Sequence, residues 1–123
     1  MRPMRKSIVA LSLAVAAQAA FAASDPAQGQ KAFQECAACH AATQGANGVG
    51  PSLFGVVGRK AASVAGFNYS SAMKKSNLTW TAQNLDAYIA NPQQKVPGNH
   101  MPYSGMSDAQ ERAALIAYLQ SLH

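Results

Sequence analysis

Small and apolar residues recur at helical spacing near the beginning of this chain. From Pro26 to about His40 the pattern predicts a helix, with proline at its first position. Ser24 or Asp25 can cap its amino end. Its shared face carries small and apolar residues: Gly29, Ala32, Phe33 and Cys36. A glycine inside a helix costs roughly 1 kcal/mol against alanine, so Gly29 indicates a close helix crossing.

Two further helices are predicted in the second half of the chain. One is capped by Thr79 or Thr81 and ends at Asn91-Pro92, with an apolar face of Leu85, Tyr88 and Ile89. The last begins at a capping box over residues 107–110, starting at Ser107. Its stripe consists of Leu115, Ile116, Leu119 and Leu122. A short helix also fits within residues 68–76.

Between these helices lie long segments that glycine and proline interrupt. Residues 41–66 contain six glycines, and residues 93–106 contain the turn pair Pro97-Gly98. Neither segment shows the alternation of a strand, so the predicted fold is all-α. A long irregular segment inside a compact domain is expected only where it wraps something.

Residues 1–22 have the composition of an export signal. Arg2, Arg5 and Lys6 precede an apolar run over residues 8–20, and Ala20-Phe21-Ala22 is a cleavage sequence. The alternative is a membrane anchor, but about 20 apolar residues are needed to span a bilayer. We therefore expect a signal peptide cleaved at residue 22, a single domain over residues 23–123 and a periplasmic location.

Removal of the leader changes the charge and exposes a shortage of bulky side chains. The net charge of +5 falls to +2, because three basic residues are lost with the leader. No basic run interleaved with aromatic residues is present, so a nucleic-acid partner is not expected. The remaining aromatic residues are four Tyr, three Phe and one Trp. So thin a core favours a buried apolar ligand.

The sequence Cys36-Ala37-Ala38-Cys39-His40 is the signature of covalent c-type haem attachment. Two thiols three positions apart on a helical turn reach two vinyl groups along one edge of a porphyrin. His40 then reaches the iron as its proximal ligand. The alternatives are a disulfide, a dithiol redox pair and a zinc site. A dithiol pair needs a βαβ setting, and zinc needs more Cys or His ligands than are near.

A second axial ligand is expected from a methionine, because a His/Met pair raises the reduction potential of an electron-transfer haem. Met101 lies on a loop restrained by Pro97, Gly98 and Pro102, which favours it over the others. Met73 and Met106 are more typical of core filling. His100 is adjacent and could compete, although we expect it to face solvent.

Taken together, the motifs resemble those of class I c-type cytochromes from residue 29 to residue 122. The attachment sequence, the Gly50-Pro51 loop, Leu78-Thr79-Trp80 and the loop Val96-Pro97-Gly98-Asn99-His100-Met101-Pro102 follow in the family's order. Asn99 and His100 replace the family's usual Thr and Lys, and Met73 its usual Asn. The resemblance implies a cytochrome c fold: three main helices, short helices and long loops around one haem c held by two thioethers. It also selects Met101.

The resemblance implies roles for further residues. The Pro51 carbonyl would accept a hydrogen bond from His40, and Tyr88 would approach the Met101 sulfur. Trp80, Tyr69 and Arg59 would bind or neutralise the propionates. Core packing is the alternative for Trp80 and Tyr69, and a solvated loop charge for Arg59. The first and last helices would cross through Gly29, Phe33, Leu115 and Tyr118.

The function implied is one-electron transfer by a monomer with both axial positions filled. Its partners would be redox proteins, such as an oxidase, reductase or dehydrogenase, with transient contact to membrane complexes. Five lysines could surround the porphyrin edge and attract an acidic partner: Lys31, Lys60, Lys74, Lys75 and Lys95. A scattered solvated surface is the alternative. The rival functions are a peroxidase or gas-binding haem protein, which needs a labile distal ligand, and a dithiol or metal-binding module.

Overall fold

The computed structural model describes residues 25–123, and within this range the chain is helical. The helices are α1 (Pro26–Ala32), α2 (Gln34–Ala37), α3 (Ser71–Lys75), α4 (Ala82–Ala90), α5 (Pro92–Lys95) and α6 (Ala109–Gln120). The described residues form no strand, only an isolated antiparallel bridge between Lys60 and Thr79. The all-α prediction is confirmed. The predicted leader and the alternative cap Ser24 lie outside the described residues.

Helix α1 begins where the sequence predicted, but the helical stretch ends early. Asp25 Oδ1 accepts a hydrogen bond from the Ala27 N–H at 3.0 Å, and Pro26 follows the cap. The continuous helix to about His40 was wrong: α1 ends at Ala32 and α2 at Ala37. Beyond α2, the N–H groups of Cys39 and His40 both bond to the Cys36 carbonyl, at 3.1 and 2.9 Å. Because two N–H groups share one carbonyl, the regular helical hydrogen-bond pattern ends here, but the chain still forms a closed turn.

The predicted crossing of the first and last helices is confirmed at Gly29. A Cβ there would lie 2.7 Å from Tyr118 Cβ and closer still to the Ala114 carbonyl oxygen. Only glycine therefore lets α1 and α6 approach this closely. Phe33 completes the crossing, with its ring centroid 5.2 Å from that of Tyr118.

Helices α4 and α5 share one residue as their boundary. Thr81 caps α4, since its hydroxyl accepts from the Asn84 N–H at 3.1 Å. Asn91 ends α4 and also caps α5, where its side chain accepts from the Gln94 N–H at 3.2 Å. The predicted loop over residues 93–106 was therefore wrong at its start, because Pro92 begins a further helical turn. Gly98 adopts φ 86°, as a Pro-Gly turn requires.

Helix α6 is the most buried element and starts one residue later than predicted. Asp108, not Ser107, is its cap: Oδ1 accepts from the N–H groups of Gln110 and Glu111 at 2.8 and 3.0 Å. A carboxylate that accepts hydrogen bonds from two backbone amides at a helix amino end binds them more strongly than a hydroxyl does, because it is negatively charged. The buried face of α6 is Ala114, Leu115, Ile116 and Leu119. An ion pair of 2.8 Å between Arg112 and Asp86 ties α6 to α4.

None of the helices in residues 25–123 combines the length and apolar composition needed to cross a bilayer.

Candidate functional site

A cavity of about 370 Å³ lies in the centre of the fold, and both cysteines open onto it. It is lined by α2, the loop after it, α3, α4, α6 and the loop between α5 and α6. The size is typical of a small-molecule or cofactor pocket. All nine predicted site residues line it: Cys36, Cys39, His40, Pro51, Arg59, Tyr69, Trp80, Tyr88 and Met101.

The two thiols are unpaired and half-buried at the wall of this cavity. Burial, helped by the charge of Glu35, raises the pKa of Cys36 to about 11, so the free thiol is protonated at neutral pH. The described residues contain no cluster of three or more His, Cys, Asp or Glu that could hold a metal ion.

His40 is held in one orientation by the backbone that follows it. Its Nδ1 lies 2.7 Å from the carbonyl oxygen of Pro51. A carbonyl only accepts, so Nδ1 carries the proton and donates. Burial lowers the pKa of His40 despite this bond, which keeps the ring neutral. Nε2 is therefore left with a lone pair, the form that binds a metal.

Gly50 is what brings this backbone so close to the imidazole. A Cβ at position 50 would lie 2.6 Å from His40 Nδ1, inside the contact distance of real atoms. The Gly50 N–H bonds to the Cys39 carbonyl at 2.8 Å, which anchors the loop beside the attachment turn. Sequence reasoning did not assign Gly50 a role. The only local signal was a glycine directly before Pro51.

Asn99 holds the loop that carries Met101. It is 6 % exposed, and its Nδ2 donates to the carbonyls of Pro92 and Val96 at 3.0 and 2.9 Å. Its Oδ1 accepts from the Met101 N–H at 2.8 Å. One buried amide thus joins helix α5 to the backbone of Met101. The sequence marked Asn99 only as a departure from the resembled family, and gave no sign of these bonds.

The three methionines of the described chain have different settings. Met101 is half-buried and lines the cavity. Met73 also lines it, but is buried on helix α3. Met106 is 4 % exposed and packs in the core away from the cavity. His100 lines the cavity rim and is exposed, as expected.

The remaining predicted residues also line the cavity, and two of them, Arg59 and Tyr69, form hydrogen bonds to their own loop. The Arg59 guanidinium donates to the carbonyls of Phe54 and Ser52 at 2.9 and 3.0 Å. Burial lowers the pKa of Arg59, which still remains charged. The Tyr69 hydroxyl accepts from the Val64 N–H at 3.1 Å. These contacts fix the loop over residues 52–69 and leave only part of each polar group free for a ligand.

Trp80 and Tyr88 pack against each other at the cavity wall. Their ring centroids are 4.9 Å apart and inclined at 52°. Burial raises the pKa of Tyr88 to about 12. The expected approach of the Tyr88 hydroxyl to the Met101 sulfur is not seen as a hydrogen bond among the described residues. The hydroxyl is left free to face the cavity.

The lysines predicted to surround the cavity edge do not line it. The residues at its rim include Glu35, Val49, His100, Pro102 and Tyr103. Val49 is 73 % exposed, the one large apolar side chain so exposed among the described residues. Lys60 and Lys74 each directly follow a cavity-lining residue in the chain, and both are exposed.

Comparison with known proteins now decides the family. A family model described as cytochrome c matches residues 26–123. The chain belongs to the cytochrome c family. Cytochrome c2 of Rhodomicrobium vannielii is 44 % identical over 124 residues, which cover 100 % of this chain and 98 % of that protein. Cytochrome c2 of Blastochloris viridis is 40 % identical over 121 residues, 98 % of this chain and 95 % of that one.

Solved structures agree with the family. Cytochrome cH from Methylobacterium extorquens superposes with a TM-score of 0.74 at 47 % identity, covering 79 % of this chain and 98 % of that one. The cofactor of this c-type cytochrome is one haem c, attached through Cys36 and Cys39, and its function is electron transport. The residues present fit that group: two free thiols, a neutral imidazole and a thioether line one largely apolar cavity.

Proposed function

We propose that this cytochrome is an exported, periplasmic one-electron carrier in which His40 and Met101 are the axial ligands of the haem iron. Cleavage at residue 22 would leave a single domain over residues 23–123. The bound haem supplies an iron that alternates between ferric and ferrous states. Every other part of the function belongs to the chain: holding the ligands still, excluding water and presenting one edge to a partner.

The observation that carries the proposal is that both candidate ligands are restrained by the backbone near them. The Pro51 carbonyl orients His40 at 2.7 Å, and Asn99 holds the Met101 N–H at 2.8 Å. Ligands that hardly move between two redox states keep the reorganisation small. With His40 and Met101 both bound, the iron would have no open site for oxygen or peroxide, so we propose that the protein has no catalytic turnover of its own.

Pro51, Arg59, Tyr69, Trp80 and Tyr88 would surround the haem. Pro51 would strengthen the donor character of His40. Trp80 and Tyr88 would cover apolar porphyrin surface and offer their polar tips to it. Arg59 would counter propionate charge from within its loop, at a distance set by its bonds to Ser52 and Phe54.

The partners would be redox proteins, including membrane complexes that the carrier touches briefly as a monomer. Val49 is an exposed apolar side chain at the cavity rim, and the exposed lysines elsewhere on the surface would attract an acidic partner. The association rate should then fall steeply as salt is raised. An association rate that does not change with salt would show that the lysines do not attract the partner, and that docking depends on the apolar rim alone.

The ligand assignment is tested with Met101→Leu and the volume-matched control Met73→Leu. We expect the first to abolish the weak long-wavelength sulfur–iron band of the ferric protein, and the second to keep it. Loss of the band in Met73→Leu alone would reverse the assignment. Intact mass and a pyridine haemochrome spectrum of the exported protein establish the thioethers and the cleavage site. Fast binding of cyanide or carbon monoxide to the resting protein would instead favour a peroxidase or gas-binding haem protein.

A further inference from the structure

A hydrogen bond between side chains joins the loop of Met101 to helix α2, which bears Cys36. The Tyr103 hydroxyl donates to Glu35 Oε2 at 2.6 Å, across 68 positions of sequence. Both residues line the cavity at its rim. Among the described residues only Arg112 and Asp86 form another hydrogen bond between two side chains. The chain otherwise bonds its polar side chains to backbone, so this contact is a rare tie between distant segments.

Each partner of this bond is coupled directly to a residue of the site. Glu35 precedes Cys36 on α2, and therefore moves with the attachment turn. Tyr103 is coupled to Met101 because its N–H donates to the Met101 carbonyl at 2.9 Å, which closes a tight turn. Displacing Tyr103 would therefore displace the backbone of Met101.

The loop is thus held on both sides of Met101. On the buried side Asn99 bonds to α5 and to the Met101 N–H. On the exposed side the loop is joined to α2 through Tyr103 and Glu35. The buried tie links residues within one local segment. Only the exposed tie closes the loop over the cavity against the opposite element.

We propose that the hydrogen bond between Tyr103 and Glu35 is a latch that keeps the Met101 loop closed over the haem pocket. Tyr103 and Glu35 are positioning residues: they act on the iron through Met101. The inference rests on the proposed ligation by Met101. Under this proposal, Tyr103 and Glu35 control how fast the Met101 thioether leaves the iron, although neither residue binds the iron.

The test measures how fast imidazole displaces Met101 in the ferric holoprotein, followed by loss of the sulfur–iron band. Displacement requires the loop to open, so Tyr103→Phe and Glu35→Ala should each speed it by roughly three- to tenfold, the range for losing a partly exposed charge-assisted bond. Glu35→Gln keeps a neutral acceptor and should lie between these and the wild type. The double variant Tyr103→Phe/Glu35→Ala should be no faster than either single variant.

Two controls separate the latch from charge and from loss of a hydroxyl. Glu111 also acts on Tyr103 through its charge but accepts no hydrogen bond from it, so Glu111→Gln should leave the rate unchanged. Tyr118→Phe removes a hydroxyl on α6 and should also be without effect.

The two failures are distinguishable. Single variants within about twofold of the wild type, or fully additive effects in the double variant, would overturn the latch while the wild-type band persists. A wild-type protein without the band would overturn the ligation by Met101 itself.

Discussion

The side-chain oxygen of Asn99 accepts a hydrogen bond of 2.8 Å from the backbone N–H of Met101. The same amide donates to two carbonyls at the ends of α5, so one buried side chain makes three hydrogen bonds. Two of these three bonds need an N–H donor, and one needs an acceptor. No other residue type of this size offers both in that arrangement.

Replacing Asn99 should therefore weaken both the fold and the ligand loop. Asn99→Ala leaves the Met101 N–H without its partner and removes one of two hydrogen bonds from each of the Pro92 and Val96 carbonyls, at a cost of about 1 to 3 kcal/mol in the free energy of unfolding. Asn99→Asp keeps the acceptor but sets a carboxylate against two carbonyl oxygens, and should cost more. Denaturant unfolding measures the stability, and the sulfur–iron band reports the loop. Gln83→Ala, exposed on α4, is the control and should change neither.

Gly29→Ala should destabilise the protein although alanine is the better helix former. Alanine gains roughly 1 kcal/mol of helix propensity. Its Cβ would lie 2.7 Å from Tyr118 Cβ, which forces α1 and α6 apart at a cost of about 1 to 3 kcal/mol in overpacking. We expect a net loss of stability in denaturant unfolding. Gln28→Ala at an exposed position of the same helix should be neutral or stabilising, and an equal response of both variants would contradict the crossing.

Without its cofactor this chain should not keep a cooperative fold. At roughly 24 cal/mol per Å³ of void, an empty cavity of 370 Å³ would cost about 9 kcal/mol, as much as the whole stability of many small domains. Cys36→Ser/Cys39→Ser should therefore lose most of its helical circular dichroism and its unfolding transition. Each single serine variant retains one attachment point, so its helical circular dichroism should lie between that of the wild type and that of the double variant. A well-folded double variant free of haem would contradict this reasoning.

The buried hydroxyl of Tyr88 should make stability depend on pH in the alkaline range. Its pKa is about 12 in the folded chain and about 10 in the unfolded chain, so the folded state holds the proton more tightly. The resulting stabilisation is complete below pH 10 and is lost as the pH rises through 12. The difference in unfolding free energy between wild type and Tyr88→Phe should shrink over that window, by on the order of 2 kcal/mol. A difference constant with pH would show that Tyr88 does not ionise from a buried site.

Much of the fold was predictable because its signals are local. Asp25-Pro26, Thr81 and the glycine at position 29 act on residues within one or two turns, where spacing alone decides what is near. The predictions failed at finer choices between neighbours. Asp108 displaced Ser107 as cap because two amides prefer a carboxylate, and Pro92 began a helix where a loop was predicted.

The candidate site divides in the same way. Cys36, Cys39 and His40 could be identified from three residues of spacing, since their chemistry requires a single helical turn. Which polar groups meet across the cavity followed only from the packed fold. Three contacts depend on how the chain segments pack together: the hydrogen bond of Tyr103 to Glu35, the hydrogen bonds of Arg59 to its own loop, and the close approach of Gly50 to His40. A polar side chain can form hydrogen bonds with several groups. Once burial excludes water, it bonds to the groups that the folded chain has placed beside it, and only the tertiary structure determines which groups those are.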